Sequence, residues 1–231
     1  MTLSALAAAA EMPPSKAHRY LAGYITAGFA AQDPTTSRYM LGPLALEIGL
    51  AALRGLDVLA LAEDVLVGLR DAVGDTVSMT VWANRGPTVV RWLEGAQTAV
   101  ILATNLGVVL PVTTSANGMV FAALLPPEAT RALVDTEIAA HNASRTEQRR
   151  RRVQFERSLA YVREHGLSVS DNLVQPAISS LAAPVRGFTG TIAASVAIVG
   201  LHGVLDLALD GKPAVALRAA AARISERLGA S

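Results

Sequence analysis

The chain has 231 residues, with 20 Lys plus Arg against 19 Asp plus Glu, no Cys, and 52% hydrophobic residues but only 4% aromatic ones. A formal charge of +1 provides no broad cationic field, so any contact with nucleic acid has to come from a locally organised element. Without Cys, disulfide scaffolds, thiolate zinc sites, iron–sulfur clusters and cysteine nucleophiles are excluded, in keeping with a reducing, cytoplasmic setting.

The first residues carry no basic segment and no long apolar stretch before Glu11, so no signal peptide is expected. Leu3, Leu6, Ala7 and Ala10 lie on one helical face, and Met12-Pro13-Pro14 interrupts it because proline cannot continue a helix interior. Ala17, Tyr20, Leu21, Tyr24 and Ile25 then recur at helical spacing, with Pro14 and Ser15 suited to the first turn and Gly28 beyond the end. The period changes to two after Gly28. Residues 29–32 and 38–41 read as strands joined by Asp33-Pro34-Thr35-Thr36-Ser37, where Asp-Pro opens a turn and the Thr and Ser residues close it.

From Pro43 to about Leu61 a linking helix is predicted, broken near Gly55, with residues 60–73 helical as well. Val77, Met79 and Val81 alternate with Ser78, Thr80 and Trp82, and residues 88–93 form a second strand across the Asn84-Arg85-Gly86-Pro87 turn. Short strands are expected at 100–103 and 108–112, then helices near 118–125 and after Pro127, and a long charged helix over 144–165. Strands follow at 167–169, 179–185 and 191–199, and a helix opened by Pro213 runs through Val215, Leu217, Ile224 and Leu228. The mean hydropathy of +0.38 is high, yet no window approaches the ~18 apolar residues of a membrane span. Its apolar surplus suits a core plus a subunit interface, and no membrane partner is expected. The fold class is α/β in the mixed α+β sense, a small N-terminal domain followed by a larger one.

Two helices around a sharp turn, followed by a hairpin, make a winged helix-turn-helix whose second helix fits a DNA major groove. Ser15, Lys16, His18 and Arg19 lie on its polar face, and Arg38 on the wing can reach the backbone or minor groove. The same pattern also suits an ordinary solvated helix, and periodicity alone does not choose between them.

The segments Met12-Pro13-Pro14-Ser15-Lys16-Ala17-His18-Arg19-Tyr20-Leu21, Gly28-Phe29 and Ser37-Arg38-Tyr39-Met40-Leu41-Gly42 resemble the recognition helix and wing of the IclR family of bacterial transcriptional regulators. Leu110-Pro111-Val112, Ser115-Ala116-Asn117-Gly118, Leu181-Ala182-Ala183-Pro184-Val185, Ala197-Ile198-Val199-Gly200 and Ile224-Ser225-Glu226-Arg227-Leu228-Gly229 fall in that family's order over about two hundred residues. The resemblance implies a winged helix-turn-helix over 1–42, a linker and dimerisation helix over 43–59, and a GAF-like effector domain over 60–231. It further implies operator DNA and a small organic effector as partners, a homodimer or homotetramer, repression or activation of catabolic operons, and no cofactor. The family's winged domain normally begins with one more helix, so the true N-terminus is expected upstream of Met1, leaving the apolar sides of Leu6, Leu21 and Ile25 exposed.

The effector pocket departs from the family's small oxo-acid sensors. Their Ser-x-Ser pair reads Ala197-Ile198-Val199 here, the lysine after the loop glycine is Met119, and their acidic stretch is Ser170-Asp171-Asn172-Leu173-Val174-Gln175-Pro176. A carboxylate buried without partners costs several kcal/mol, so a larger, less polar effector than a two- or three-carbon acid is expected. The amides of Gly118 and Met119 are candidates to cradle an oxygen, with Asn117, Ser180 and Asp171 as polar partners and Trp82, Ala197 and Val199 lining the pocket.

The run Arg149-Arg150-Arg151-Arg152 is interleaved with Glu147 and Glu156 and points all round a helix, which suits a solvated helix or subunit contact. His202 and Asp206 at i, i+4 lack a third ligand, so no metal site is expected. No Gly-x-Ser-x-Gly, Walker A, Gly-x-Gly-x-x-Gly or His-Glu-x-x-His motif is present, and an enzyme is not expected. The alternative is a sensor or modulator without autonomous DNA binding that pairs with a full-length regulator.

Overall fold

The structure is a computed structural model and describes residues 1–54, 58–96, 106–140 and 142–230. The predicted strand at 100–103 and the predicted break near Gly55 lie outside these residues. The chain divides into two compact units, Met1–Asp57 and Val58–Ser231.

The first unit contains α1 (Leu3–Ala9), α2 (Pro14–Thr26), β1 (Ala30–Gln32), β2 (Tyr39–Leu41) and α3 (Pro43–Arg54). Thr2 caps α1 by accepting from the Ala5 amide, and Pro14 opens α2 with a φ already suited to a helix. β1 and β2 pair antiparallel with Gln32 opposite Tyr39. The Met1 ammonium donates to the Tyr39 carbonyl at 2.7 Å and the Tyr39 amide returns a bond to Met1, so the start of the chain lies along β2.

The second unit contains α4 (Val58–Val73), β3 (Thr76–Ala83), β4 (Gly86–Leu93), α5 (Ala116–Leu124), α6 (Pro127–Ala139) and α7 (Arg145–His165). It continues with β5 (Ser168–Asp171), β6 (Ile178–Arg186), β7 (Ile192–Leu201) and α8 (Lys212–Arg227). The strands form one antiparallel sheet in the order β4-β3-β7-β6-β5. Alternation along the strands divides the side chains between two cores. Val77, Met79, Leu181, Ala183, Val196 and Ile198 pack with α4 and α8. Ala182 and Ala197 face the other way, toward α5, α6 and α7 with Met119, Val120, Val134, Phe155 and Leu159. The unit is therefore three layers, helices on both faces of one sheet.

The expected strand at 108–112 is replaced by a loop that makes a single bridge, Thr88 to Val109, beside β4. Pro111 explains the short pairing, since it has no amide to extend a ladder. The strand predicted at 167–169 runs from Ser168 to Asp171, because Gly166 at φ 63° ends α7 in the left-handed region and Leu167 is spent in the core.

Candidate functional site

Within α2 only Ala17 is buried, and Ser15, Lys16 and Arg19 stand in solvent on the first turns. Their spacing of i, i+1 and i+4 puts them on adjoining parts of one face. His18 is also exposed, but its Nδ1 lies 3.5 Å from the Tyr39 hydroxyl, so it reaches back to the hairpin. Arg38 is exposed at the base of the turn, where its carbonyl accepts from the Asp33 amide at 2.8 Å. Asp33 Oδ1 accepts from the Thr35 and Thr36 amides at 2.8 Å each, the Asx-type closure expected of that sequence. Those amides hold the Asp33 carboxyl below its ordinary value. Beside α2, Leu6 and Leu21 line an open apolar groove of about 650 Å³ with Tyr24, Phe29, Met40 and Leu41.

In the second unit the predicted effector residues fall on both sides of the sheet. Asn117, Gly118 and Met119 are buried in α5, and Ala197 and Val199 lie on the sheet face turned to that helix. Ser180 sits directly opposite Val199 across β6 and β7, on the same face. Trp82 packs against the same layer, its ring centroid 5.7 Å from that of Phe121. Asp171 is not with them. One position out of phase with Ser170, it is directed to the opposite face, where it accepts from Ser179 Oγ and lies 2.7 Å from His202 Nδ1. Those two partners, Ser179 first, lower its pKa. Asp206 Oδ1 accepts from the Ala208 amide at 3.0 Å.

The two amides expected to cradle an oxygen are already used. Gly118 N donates to Ser115 Oγ at 2.9 Å and Met119 N to the Ser115 carbonyl at 3.0 Å, because Ser115 is the N-cap of α5. What remains is a set of buried oxygens the sequence reading did not single out. Ser78, Thr80, Ser168, Ser170 and Ser195 occupy alternate positions on the α5 side of the sheet, all buried. Ser170 Oγ donates to the Thr114 carbonyl at 2.6 Å. Thr80 Oγ1, Ser168 Oγ and Asn117 Oδ1 have no hydrogen-bond partner among the described residues. The period-two alternation of hydroxyls with Val77, Met79 and Val169 was the available signal.

A cleft of about 620 Å³ lies between α7, the end of α6 and the loops at 111–114 and 173–174. Glu137 on its wall accepts from the Val112 and Thr113 amides and from Thr113 Oγ1, pinning the loop that leads to α5. Glu147 is held by Arg150 at 2.8 and 2.9 Å and by Arg151 at 3.0 Å. The arginine run is thus partly neutralised by its own helix, as its interleaved acids suggested.

Residues 1–34 match the family model described as the IclR helix-turn-helix domain, and residues 50–226 match the one described as bacterial transcriptional regulator IclR C-terminal. Among solved structures, the chain is similar to Pseudomonas aeruginosa HmgR at 38% identity, over 100% of this chain and 91% of that one, with a TM-score of 0.82. It shares its fold with the Agobacterium tumefaciens repressor BlcR at 24% identity, 100% and 90% coverage and a TM-score of 0.75. The corresponding figures for the Thermotoga maritima IclR are 22%, 99% and 91%, and 0.63. No match is found among curated protein sequences.

Proposed function

The chain belongs to the IclR family of bacterial transcriptional regulators, and from that premise we propose that it reads operator DNA with α2 and is switched by an effector larger and less polar than a two- or three-carbon acid. The observation that carries the reading is the solvent-facing first turn of α2, where Ser15, Lys16 and Arg19 are free of the packing that claims Ala17. Arg19 is assigned to a guanine edge or phosphate, Ser15 and Lys16 to phosphates, and Arg38 to the backbone beside the wing. His18 acts by holding α2 to β2. Residues 1–42, 43–59 and 60–231 serve as reading head, dimerisation helix and effector domain. Joining two or more heads compensates for the few cations each carries, and an effector that alters their spacing changes operator affinity by a coupling free energy of typically ~1–3 kcal/mol.

The effector assignment is supported by Ala182, Ala197 and Val199, which present no hydroxyl to a small carboxylate, and by the capping of the Gly118 and Met119 amides within α5. Asn117, Ser180, Thr80 and Ser168 remain as its polar partners, with Trp82 and Met119 as apolar walls. The test is a footprint on the intergenic DNA beside the chain's own gene, paired with a thermal-shift screen of aromatic and aliphatic catabolites. Specific protection lost in Arg19→Ala supports the reading, and stabilisation by glyoxylate or pyruvate alone contradicts the effector class. A second reading, a modulator that pairs with a full-length regulator, is favoured by the open apolar groove at Leu6 and Leu21 and by Leu41, 83% exposed. Absence of any footprint selects it.

A further inference from the structure

A hollow of about 430 Å³ lies between α7 and β5, and apart from Ser168 its walls stand outside the DNA and effector assignments. Gln154, Arg157, Ser158 and Tyr161 recur at i, i+3, i+4 and i+7, so they share the flank of α7 beside its buried Phe155, Leu159 and Val162. Ser168 and Val169 form the facing wall, and because β5 is the last strand of the sheet this wall is a free edge. The Asn172 amide donates to the Ile178 carbonyl at 2.9 Å, and alternation from that bond puts Ser170 and Ser168 in the hydrogen-bonded pairs with β6. The Val169 amide is therefore turned outward, to the free edge.

Ser168 Oγ shows that the hollow is unfinished. The residue is 1% exposed, and its hydroxyl has no hydrogen-bond partner among the described residues. A buried hydroxyl in that state destabilises the fold until something binds it. Arg157 is exposed and has no carboxylate partner among the described residues, whereas Glu147 takes up Arg150 and Arg151 and Asp135 takes up Arg152. No Asp or Glu lines the hollow, and Asp206, next to the lining Leu207, is bonded to the Ala208 amide. α7 carries seven arginines and three glutamates, so the local field is positive although the whole chain is only +1.

We propose that this hollow binds a phosphate group, as the free ion or as a phosphate monoester. The donors come from two directions. Arg157, Gln154 and Tyr161 offer N–H and O–H groups from α7, and Ser168 Oγ and the Val169 amide offer theirs from the sheet edge. A phosphate carries three terminal oxygens spread about one phosphorus and close to two charges at neutral pH, so it can meet both walls at once. A carboxylate has two oxygens in one plane and a single charge, and it leaves one wall unanswered. Ser158 adds no donor, because its hydroxyl is spent on the Gln154 carbonyl. The proposal does not rest on the effector assignment. The two meet only at Ser168, whose hydroxyl has one proton to donate here and lone pairs to accept with on the α5 side, so occupancy of one site is felt at the other.

The experiment follows hydrogen exchange of the full chain over residues 154–169 at constant ionic strength, titrated with inorganic phosphate against acetate and with phenyl phosphate against benzoate. Each phosphate should protect the segment at concentrations at least about tenfold lower than its carboxylate, the difference one further charge-assisted hydrogen bond makes. Arg157→Gln and Ser168→Ala should each weaken phosphate by about tenfold, while Thr80→Val, outside the hollow, should leave it unchanged. Ser168→Ala should also raise the melting temperature of the ligand-free chain, a result that a misfolded variant cannot give. Tighter binding of inorganic phosphate assigns the hollow to the ion, and tighter binding of phenyl phosphate assigns it to an ester; either supports the proposal. Equal effects of phosphates and carboxylates, unchanged affinity in either hollow variant, or a lowered melting temperature in Ser168→Ala overturns it. If a DNA duplex of unrelated sequence protects the segment and neither phosphate does, the surface is a nucleic-acid contact and the proposal falls.

Discussion

Gly118 and Pro111 are packed so closely that a β-carbon on residue 118 would stand 2.3 Å from the Pro111 carbonyl oxygen and 2.6 Å from the α-carbon of Val112. Both obstacles are backbone, so neither can rotate away. Gly118→Ala is expected to cost about 1–3 kcal/mol, the range for overpacked interiors, and to shift the loop that leads into α5. Gly68, on the exposed side of α4 with nothing within 4 Å, is the matched control, and Gly68→Ala should stabilise by about 0.5–1 kcal/mol. Urea midpoints that move in opposite directions meet the prediction. A neutral Gly118→Ala contradicts the packing.

The reading head was legible because each of its elements is announced locally. Pro14 marks the start of α2, Ala17 and Leu21 its inner face, and Asp33-Pro34 the turn, and all appear where the pattern placed them. The second unit was legible at the level of its helices and hairpins for the same reason. The layer between α5 and the sheet was less so, because a side chain's face depends on strand phase, and one position separates Ser170, bonded to the Thr114 carbonyl, from Asp171 on the opposite face. The cleft at Glu147, Arg150 and Arg151 was hidden differently. Its ion pairs are visible in sequence as i, i+3 and i+4 spacings, but its apolar floor joins residues from α6, α7 and two loops, which no local pattern records.

Arg19 and His18 are neighbours on α2 with different expected roles. Arg19→Ala should weaken specific operator binding by about 1–3 kcal/mol, as loss of a bidentate base contact does, or lower the salt slope by about one if the contact is to phosphate. His18 meets the Tyr39 hydroxyl, so His18→Ala should change DNA affinity less and instead lower the melting temperature of the first unit. Titrations at two salt concentrations, alongside thermal melts, separate the two. Equal losses of affinity would contradict the division.

Thr80 lies in the interior of the sheet with its hydroxyl oxygen lacking a partner among the described residues. A buried hydroxyl without a hydrogen bond costs about 1–3 kcal/mol relative to one that is satisfied. Thr80→Val keeps the shape and removes the polar atom, so it should raise the stability of the effector-free protein by about 1 kcal/mol. If the hydroxyl serves a ligand as proposed, the same variant should lose part of the thermal shift an effector produces. A Thr80→Val protein less stable than the parent shows that the oxygen is satisfied, and the effector assignment loses that residue.

Asp64 of α4 and Arg227 at the end of α8 join the two helices that cover one face of the sheet. Arg227 Nη2 donates to Asp64 Oδ2 at 2.8 Å, and Nη1 reaches both Asp64 Oδ1 and the Leu61 carbonyl. The hydrogen bonds from Arg227 are the main cause that lowers the Asp64 pKa from 3.8 to about 2. A carboxyl whose pKa is depressed on folding stabilises the native state only while it is ionised. Its contribution is therefore complete above the unfolded value near 3.8, declines as the pH falls from about 4, and is gone below about 2. The pair is exposed to solvent, so its effect should also shrink at high salt. Urea midpoints of the parent and Asp64→Asn should differ at pH 6 and converge toward pH 2, while Arg227→Gln, which also abandons the Leu61 carbonyl, should leave a residual deficit at low pH. A parent and Asp64→Asn that differ by the same amount at pH 6 and pH 2 would show that the ion pair is not what couples α4 to α8.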